Sequence, residues 1–175
     1  MNHAEQINQL FQAAQSGDVA NLQLLLASHP ELTNTENQDG LTPLGYASHY
    51  GQAEVVRLLL EHGADVNTLS HSKISFIPSN TALHAALAGE RSPEVIRLLL
   101  EHRASTSILD SDGQYALHSA AFHTDQIELI EMLLQHGADP NALNLAGQTA
   151  LDISLERGNT STASCLLAAV TAHQQ

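Results

Sequence analysis

Residues 40–67 contain two short motifs that recur in a fixed order along the chain and decide its fold. The first, GLTPLGYA at residues 40–47, returns as TALHAA at 81–86, GQYALHSAA at 113–121 and GQTALD at 147–152. The second, EVVRLLLEHGADVN at residues 54–67, returns as EVIRLLLEHRA at 94–104 and ELIEMLLQHGADPN at 128–141. Two motifs that alternate and each recur at intervals of 34 to 40 residues indicate a structure built from repeats.

Each motif has the residue types of one helix in a helix pair. Thr42 stands where a hydroxyl can cap the first helix, and Pro43 suits the first helical position, where its missing N–H costs nothing. Leu and Val at three- and four-residue steps give the second helix an apolar stripe. Gly63 and Gly137 are placed to end that helix in a left-handed turn, and Arg103 replaces the glycine in the middle repeat.

Both motifs resemble the ankyrin repeat, with its Thr-Pro-Leu-His-x-Ala signature and its period of about 33 residues. The resemblance extends from about Ile7 to the C-terminus. It implies an all-α repeat fold, an α-solenoid of stacked helix-turn-helix units joined by hairpin-like loops. We expect a single domain over residues 1–175, with approximate repeats at 4–36, 37–68, 69–107, 108–142 and 143–175. The first and last repeats are expected to act as polar caps.

The resemblance also implies a protein–protein interaction module that binds its partner through its concave face and connecting loops. Carried over by position, the exposed ends of the first helices include His49, Tyr50, Phe122 and His123. Aromatic residues are over-represented among binding hot spots, so we expect these side chains to contact the partner. The alternative is that each aromatic ring rests on its own neighbours.

The connection at residues 68–80, called the finger below, is longer than the repeat period allows. Thr42 and Thr81 are 39 residues apart, about six more than the period. The finger contains Ile74, Phe76 and Ile77, and we expect it to project and contact the partner. The alternative is that Phe76 and Ile77 fold back onto the neighbouring helices.

Charge and cysteine content limit the partners and the compartment. Nineteen acidic residues against six Lys and Arg oppose binding to phosphate backbones and anionic lipid surfaces. We therefore expect no nucleic acid and no membrane, but a protein partner that is basic. Cys165 is the single cysteine and the first residues do not resemble a signal peptide, so we expect a cytoplasmic protein. We also expect a monomer.

Eleven histidines suggest a metal site, but five of them follow the repeat. His84 and His118 belong to the signature, where the ring is expected to bond to the backbone or to a threonine hydroxyl. Three others stand at equivalent helix ends, near the terminal carbonyls: His62, His102 and His136. No motif of a catalytic or phosphate-binding site is present, so we expect no catalytic residues, no metal and no cofactor.

Two alternatives to the binding module stay open. A small metal protein or enzyme would use histidines outside the two series, among them His49, His71 and His123. A regulatory subunit or inhibitor would occlude the site of a partner enzyme. Cys165, within an apolar run, is expected to be a small buried hydrophobe rather than a nucleophile.

Overall fold

The structure, a computed structural model, describes residues 2–173, and within this range it contains helices and loops but no strand. The helices are α1 (His3–Ser16), α2 (Val19–Ser28), α3 (Pro43–His49), α4 (Ala53–Glu61), α5 (Ala82–Ala88), α6 (Pro93–Glu101), α7 (Ala116–His123), α8 (Ile127–Gln135), α9 (Ala150–Arg157) and α10 (Thr160–Ala172). A short 3₁₀-helix, Pro30–Asn34, follows α2. The predicted all-α repeat fold is confirmed. Across the described residues, every helix is too short or too polar to cross a membrane.

The threonines begin the first helix of a repeat as the motif predicts. Thr42 Oγ1 accepts a hydrogen bond from the backbone N–H of Gly45 at 3.1 Å. Thr149 accepts from Asp152, whose carboxylate in turn accepts from the Thr149 N–H, so this helix has a reciprocal capping box. Pro43 lies in the first turn of α3. The local sequence therefore sets where these helices begin.

The second helices end in the left-handed turns that the glycines predict. Gly63 and Gly137 have φ of 84° and 88°. Arg103 has φ of 66°, so the middle repeat keeps the same turn with a side chain that disfavours it.

The first compact unit of the chain spans Met1–Ala104. Within it α1 packs on α3 and α3 on α5, while α2 packs on α4 and α4 on α6. The apolar stripes of these helices meet in a core of leucine, valine and isoleucine, whose fully buried members include Leu10, Leu22, Leu59, Leu83 and Leu99.

The second compact unit spans Ser105–Gln175 and contains the last four helices. Helix α7 packs on α9, and α8 packs on α10. Leu129, Ile130, Leu133 and Leu166 form its buried core. The boundary falls near the end of the third predicted repeat, and the assignment of residues 1–175 to one domain stays a prediction.

Candidate protein-binding surfaces

In the first unit, the end of α3 holds a connected group of rings. Phe11 and Tyr46 have ring centroids 5.2 Å apart, and Tyr46 and Tyr50 have centroids 5.1 Å apart. His49 is exposed and lies edge-on to Tyr50, with centroids 5.2 Å apart. Tyr50 is half-buried, so it both rests on its neighbours and keeps part of its ring in solvent. Rings in such tilted and edge-on contacts are held in place before a partner arrives.

Tyr46 was not among the predicted site residues, although it joins the buried ring of Phe11 to Tyr50. It occupies the variable position of the signature, between Gly45 and Ala47. Burial, followed by a hydrogen bond with Tyr50, raises the pKa of the Tyr46 phenol above its ordinary value. An aromatic residue at a variable position of a repeat is the signal that could have identified it.

Gly89 brings the end of α5 against the end of α3. A side chain on Gly89 would overlap the backbone carbonyl of His49, and the N–H of Glu90 donates to that same carbonyl at 2.9 Å. The glycine therefore permits a close backbone approach beside His49, and the backbone of this predicted site residue is fixed.

The finger is tied to the loop that precedes α3. The N–H of His71 donates to the carbonyl of Gly40 at 2.9 Å, and the N–H of Lys73 donates to the carbonyl of Asp39 at 2.9 Å. Nδ1 of His71 lies 2.8 Å from a carboxylate oxygen of Glu36. These bonds fix the first limb of the finger, and His71 has a structural partner.

The apolar side chains of the finger differ in exposure. Phe76 is 84% exposed, whereas Ile74 and Ile77 are half-buried and joined by a turn in which the Ile77 N–H donates to the Ile74 carbonyl at 3.0 Å. The alternative in which the finger folds back is therefore wrong for Phe76. The two isoleucines cover part of their surface within the protein, and the phenyl ring stands in solvent.

In the second unit, Phe122 and His123 end α7 as an exposed ring pair with centroids 4.9 Å apart. Phe122 is 44% exposed, and the guanidinium carbon of Arg157 lies 4.1 Å from the centre of its ring. This is cation–π geometry, which holds the ring in place and sets a positive charge beside it. Arg157 is the last residue of α9, and no motif in the sequence indicates its contact with Phe122.

The predicted site residues thus form three local groups. His49 lies with Tyr50 at the end of α3, Phe122 lies with His123 at the end of α7, and the finger contains the rest: Ile74, Phe76 and Ile77. The His49 group and the finger belong to the first unit, and the Phe122 group belongs to the second.

The histidines at the helix ends are structural, as the repeat predicts. In three of them the Nδ1–H donates to the backbone carbonyl four residues earlier, at 2.8 to 2.9 Å: His62, His102 and His136. His84 bonds instead to the hydroxyl of Thr81, at 2.8 Å.

Between residues 2 and 173, no three side chains of His, Cys, Asp or Glu are grouped so that they could hold a metal ion. Cys165 is half-buried rather than fully buried, and burial raises the pKa of its thiol.

His118 differs from His84 in its bonding. Its Nε2 lies 3.2 Å from the carbonyl of Ala142 and 3.0 Å from that of Gln148, so this nitrogen carries the proton and donates. Its buried Nδ1 has no hydrogen-bond partner, and burial lowers the pKa of the ring. The position that Thr81 occupies in the preceding repeat is Tyr115 here. The Tyr115 side chain makes no capping hydrogen bond to α7.

Helix pairs that recur with the same left-handed turns and the same histidine bonds at the ends of their second helices define a helical-repeat protein. The chain belongs to the ankyrin-repeat family. A family model described as ankyrin repeats in three copies matches residues 10–110 and 71–144, and one described as ankyrin repeats in many copies matches residues 123–167.

Similar proteins share only part of their length with this chain. Human NAD-capped RNA hydrolase NUDT12 is 36% identical over 69 residues, which cover 39% of this chain and 15% of that protein. Human Inversin is 38% identical over 79 residues, covering 45% of this chain and 7% of that protein. Ankyrin repeat domain-containing protein 49 of Bos taurus is 38% identical over 61 residues, covering 35% and 26%. The chain thus spans about a quarter or less of each relative, and what it shares with them is an ankyrin-repeat, protein–protein interaction module.

Proposed function

We propose that this chain binds a basic protein partner through the tip of the finger and the aromatic ends of its first helices. The observation that carries the proposal is the exposure of Phe76, which is 84% exposed on a loop held by backbone hydrogen bonds. A large apolar side chain kept exposed in a fixed position is typical of a binding anchor.

The aromatic groups at the ends of α3 and α7 support the same function. Tyr50 and Phe122 are each held by contacts with neighbouring side chains, so little rotamer freedom is lost when a partner covers them. The two groups are separate contact points, one in each unit, and each is tested by its own variant.

The charge of the chain supports a basic partner. The net charge is −13, and Ser105–Gln175 has eight Asp and Glu against one Arg. A basic protein would therefore associate faster with this chain, and added salt would weaken the complex because it screens the attraction.

The experiment compares proteins retained from cell extract by the wild-type chain and by Phe76→Ser. We expect at least one basic protein to be retained by the wild type, released by salt and lost with Phe76→Ser. A hot-spot change of about 2 kcal/mol corresponds to roughly a 30-fold loss of affinity. Tyr50→Ala and Phe122→Ala test the two helix-end groups in the same way.

The matched control is Leu24→Ser, which removes a leucine that is 72% exposed on α2 of the same unit. If Leu24→Ser releases the same proteins as Phe76→Ser, general loss of exposed apolar surface explains the result and the finger assignment fails. If every protein retained by the wild type is also retained by all three aromatic variants, the proposed surfaces are wrong.

A further inference from the structure

The ring groups at the ends of α3 and α7 differ in one contact. In the second unit, Arg157 lies on the ring of Phe122, with its guanidinium carbon 4.1 Å from the ring centre. Phe122 comes seven positions after the N-cap residue of α7, and Arg157 comes eight positions after that of α9. In the first unit the same two places, counted from the N-cap residues of α3 and α5, are His49 and Gly89. A cation therefore covers one ring group, and a glycine adjoins the other.

Gly89 lies against His49 but leaves its ring uncovered. A side chain on Gly89 would overlap the carbonyl oxygen of His49 and would come within 2.7 Å of its Nδ1, so the two positions are in contact. His49 is exposed, and Tyr46 and Tyr50 of the same ring group are half-buried. Among residues 2–173, no Lys or Arg lies over these rings as Arg157 lies over Phe122.

Glu90 places a carboxylate next to the uncovered rings. Its backbone N–H donates to the His49 carbonyl at 2.9 Å. Its Cβ lies 3.1 Å from the point that a side chain on Gly51 would occupy, so the Glu90 side chain begins beside the residue that follows Tyr50. Glu90 is exposed, and its backbone position is fixed by the bond to His49.

Asp39 adds a second negative charge near the group. Burial and contact with Tyr50 are the larger causes that raise the pKa of the Tyr46 phenol, and the charge of Asp39 adds to them. In the part of the chain that the structure describes, neither Asp39 nor Glu90 has an ion-pair partner. A cation on these rings would be attracted both by the aromatic faces and by the two carboxylates.

We propose that the ring group at the end of α3, with Glu90 and Asp39 beside it, binds an arginine side chain of the basic partner. A guanidinium is planar, stacks on aromatic faces and donates hydrogen bonds to carboxylates, which an ammonium does with less geometric fit. The contact between Arg157 and Phe122 is the same pairing made within the chain. This inference rests on the proposed function, because it assigns the arginine to the basic protein partner.

The test is a titration of the purified full chain with the peptide acetyl-Gly-Arg-Gly-amide at ~0.15 M salt, followed by NMR of the aromatic side chains. We expect the ring signals of Tyr46, His49 and Tyr50 to shift together, with a Kd of about 1–10 mM. The peptide with citrulline in place of arginine keeps the shape without the charge and is expected to bind at least ~3-fold more weakly. The peptide with lysine is expected to bind at least ~2-fold more weakly.

Three variants assign the binding to these side chains. Tyr50→Leu keeps apolar bulk but removes the aromatic face, and Glu90→Gln removes the charge; each is expected to raise the Kd of the arginine peptide at least ~3-fold. The matched control is Glu61→Gln, which removes one exposed carboxylate at the far end of α4 in the same unit. It is expected to leave the Kd unchanged because of screening over that distance. Circular dichroism establishes that each variant is folded.

Ring signals that do not shift, or that shift equally with the citrulline peptide, overturn the proposal. So does a folded Tyr50→Leu or Glu90→Gln chain that binds the arginine peptide as tightly as the wild type, or a Glu61→Gln chain that loses as much affinity. A lysine peptide that binds equally well shows that the assignment to arginine is wrong. The proposed function is judged separately, by the basic proteins retained from cell extract with Phe76→Ser, so the two can fail independently.

Discussion

Thr81 Oγ1 lies 2.8 Å from Nδ1 of His84, and this bond joins the start of a first helix to the histidine of the signature. The following repeat has Tyr115 in place of the threonine, and there the buried Nδ1 of His118 has no partner. Two repeats with the same histidine thus differ in whether a hydroxyl bonds to Nδ1 of the ring, at a site where an unsatisfied polar atom is costly.

Replacing Tyr115 with threonine is expected to stabilise the protein. The new hydroxyl would cap α7, which contributes about 1 kcal/mol, and would hydrogen-bond to Nδ1 of His118, which contributes about 1 kcal/mol more. Lost contact between the Tyr115 and His118 rings, 5.7 Å apart, offsets part of this gain. Urea unfolding measures the change.

Thr81→Val is the complementary variant, because it removes the same two bonds from α5. It is expected to lower the free energy of unfolding by about 1–3 kcal/mol. If Tyr115→Thr leaves stability unchanged or lowers it while Thr81→Val is destabilising, the tyrosine packs well enough to replace the hydroxyl, and our account of His118 is wrong.

The buried His118 ring predicts that stability falls as the solution becomes acidic. Its folded-state pKa is lowered from the ordinary 6.5, chiefly by burial, so the unfolded chain binds the proton more readily than the folded one. The free energy of unfolding should therefore be highest above pH 6.5 and decrease as pH falls through that value. The slope from this one group is at most about 1.4 kcal/mol per pH unit.

Urea unfolding at several pH values between about 5 and 8, a range that spans the ordinary histidine pKa, tests this expectation. His118→Gln is expected to flatten the dependence in that window, although it also removes the bonds to residues 142 and 148. His3→Gln, at an exposed position of α1, is the control. An unchanged pH profile in His118→Gln would assign the dependence to other groups.

The features that could be predicted from sequence are those determined within one repeat. The cap at Thr42, the left-handed turn at Gly63 and the histidine bond of His62 each join residues a few positions apart, so the motif contains both partners. The family and the fold class follow from such local rules, because each repeat contains them.

The unpredicted features join distant parts of the chain. Arg157 contacts Phe122, which is 35 positions away in the sequence, and His71 contacts Glu36 at the same sequence separation. Neither pair belongs to a repeated motif, so nothing in the sequence distinguishes these partners from others. The exposure of Phe76 depends on such a contact, since bonds to residues 39 and 40 fix the limb from which the finger turns.

Arg103→Gly is expected to stabilise the middle repeat. Arg103 has φ of 66°, a left-handed conformation that costs a side chain about 1 kcal/mol relative to glycine. The backbone carbonyl of Arg103, which accepts a hydrogen bond from Asn67 at 3.1 Å, is unchanged by the substitution. For a chain of this size, 1 kcal/mol raises Tm by about 3 °C, measured by calorimetry. A lower Tm would mean that the arginine side chain contributes more than its backbone conformation costs.

The junction between the finger and the preceding loop is tested by a pair of glycine substitutions. Gly40 and Gly63 both have positive φ, at 75° and 84°, so alanine at either position should cost about 1 kcal/mol from backbone conformation alone. A side chain at Gly40 would also overlap the carbonyl of His71, whereas one at Gly63 would meet no atom within 4 Å. Gly40→Ala should therefore be more destabilising than Gly63→Ala by at least about 1 kcal/mol.

Hydrogen exchange locates the effect. The N–H of Lys73 donates to the Asp39 carbonyl and that of His71 to the Gly40 carbonyl, so displacement of the finger should speed exchange at both amides in Gly40→Ala. Gly63→Ala, which does not touch the finger, should leave both amides protected. Equal free energies of unfolding for the two variants, with equal exchange at residues 71 and 73, would show that the finger is not held by residues 39 and 40. The rigidity on which the exposure of Phe76 depends would then need another cause.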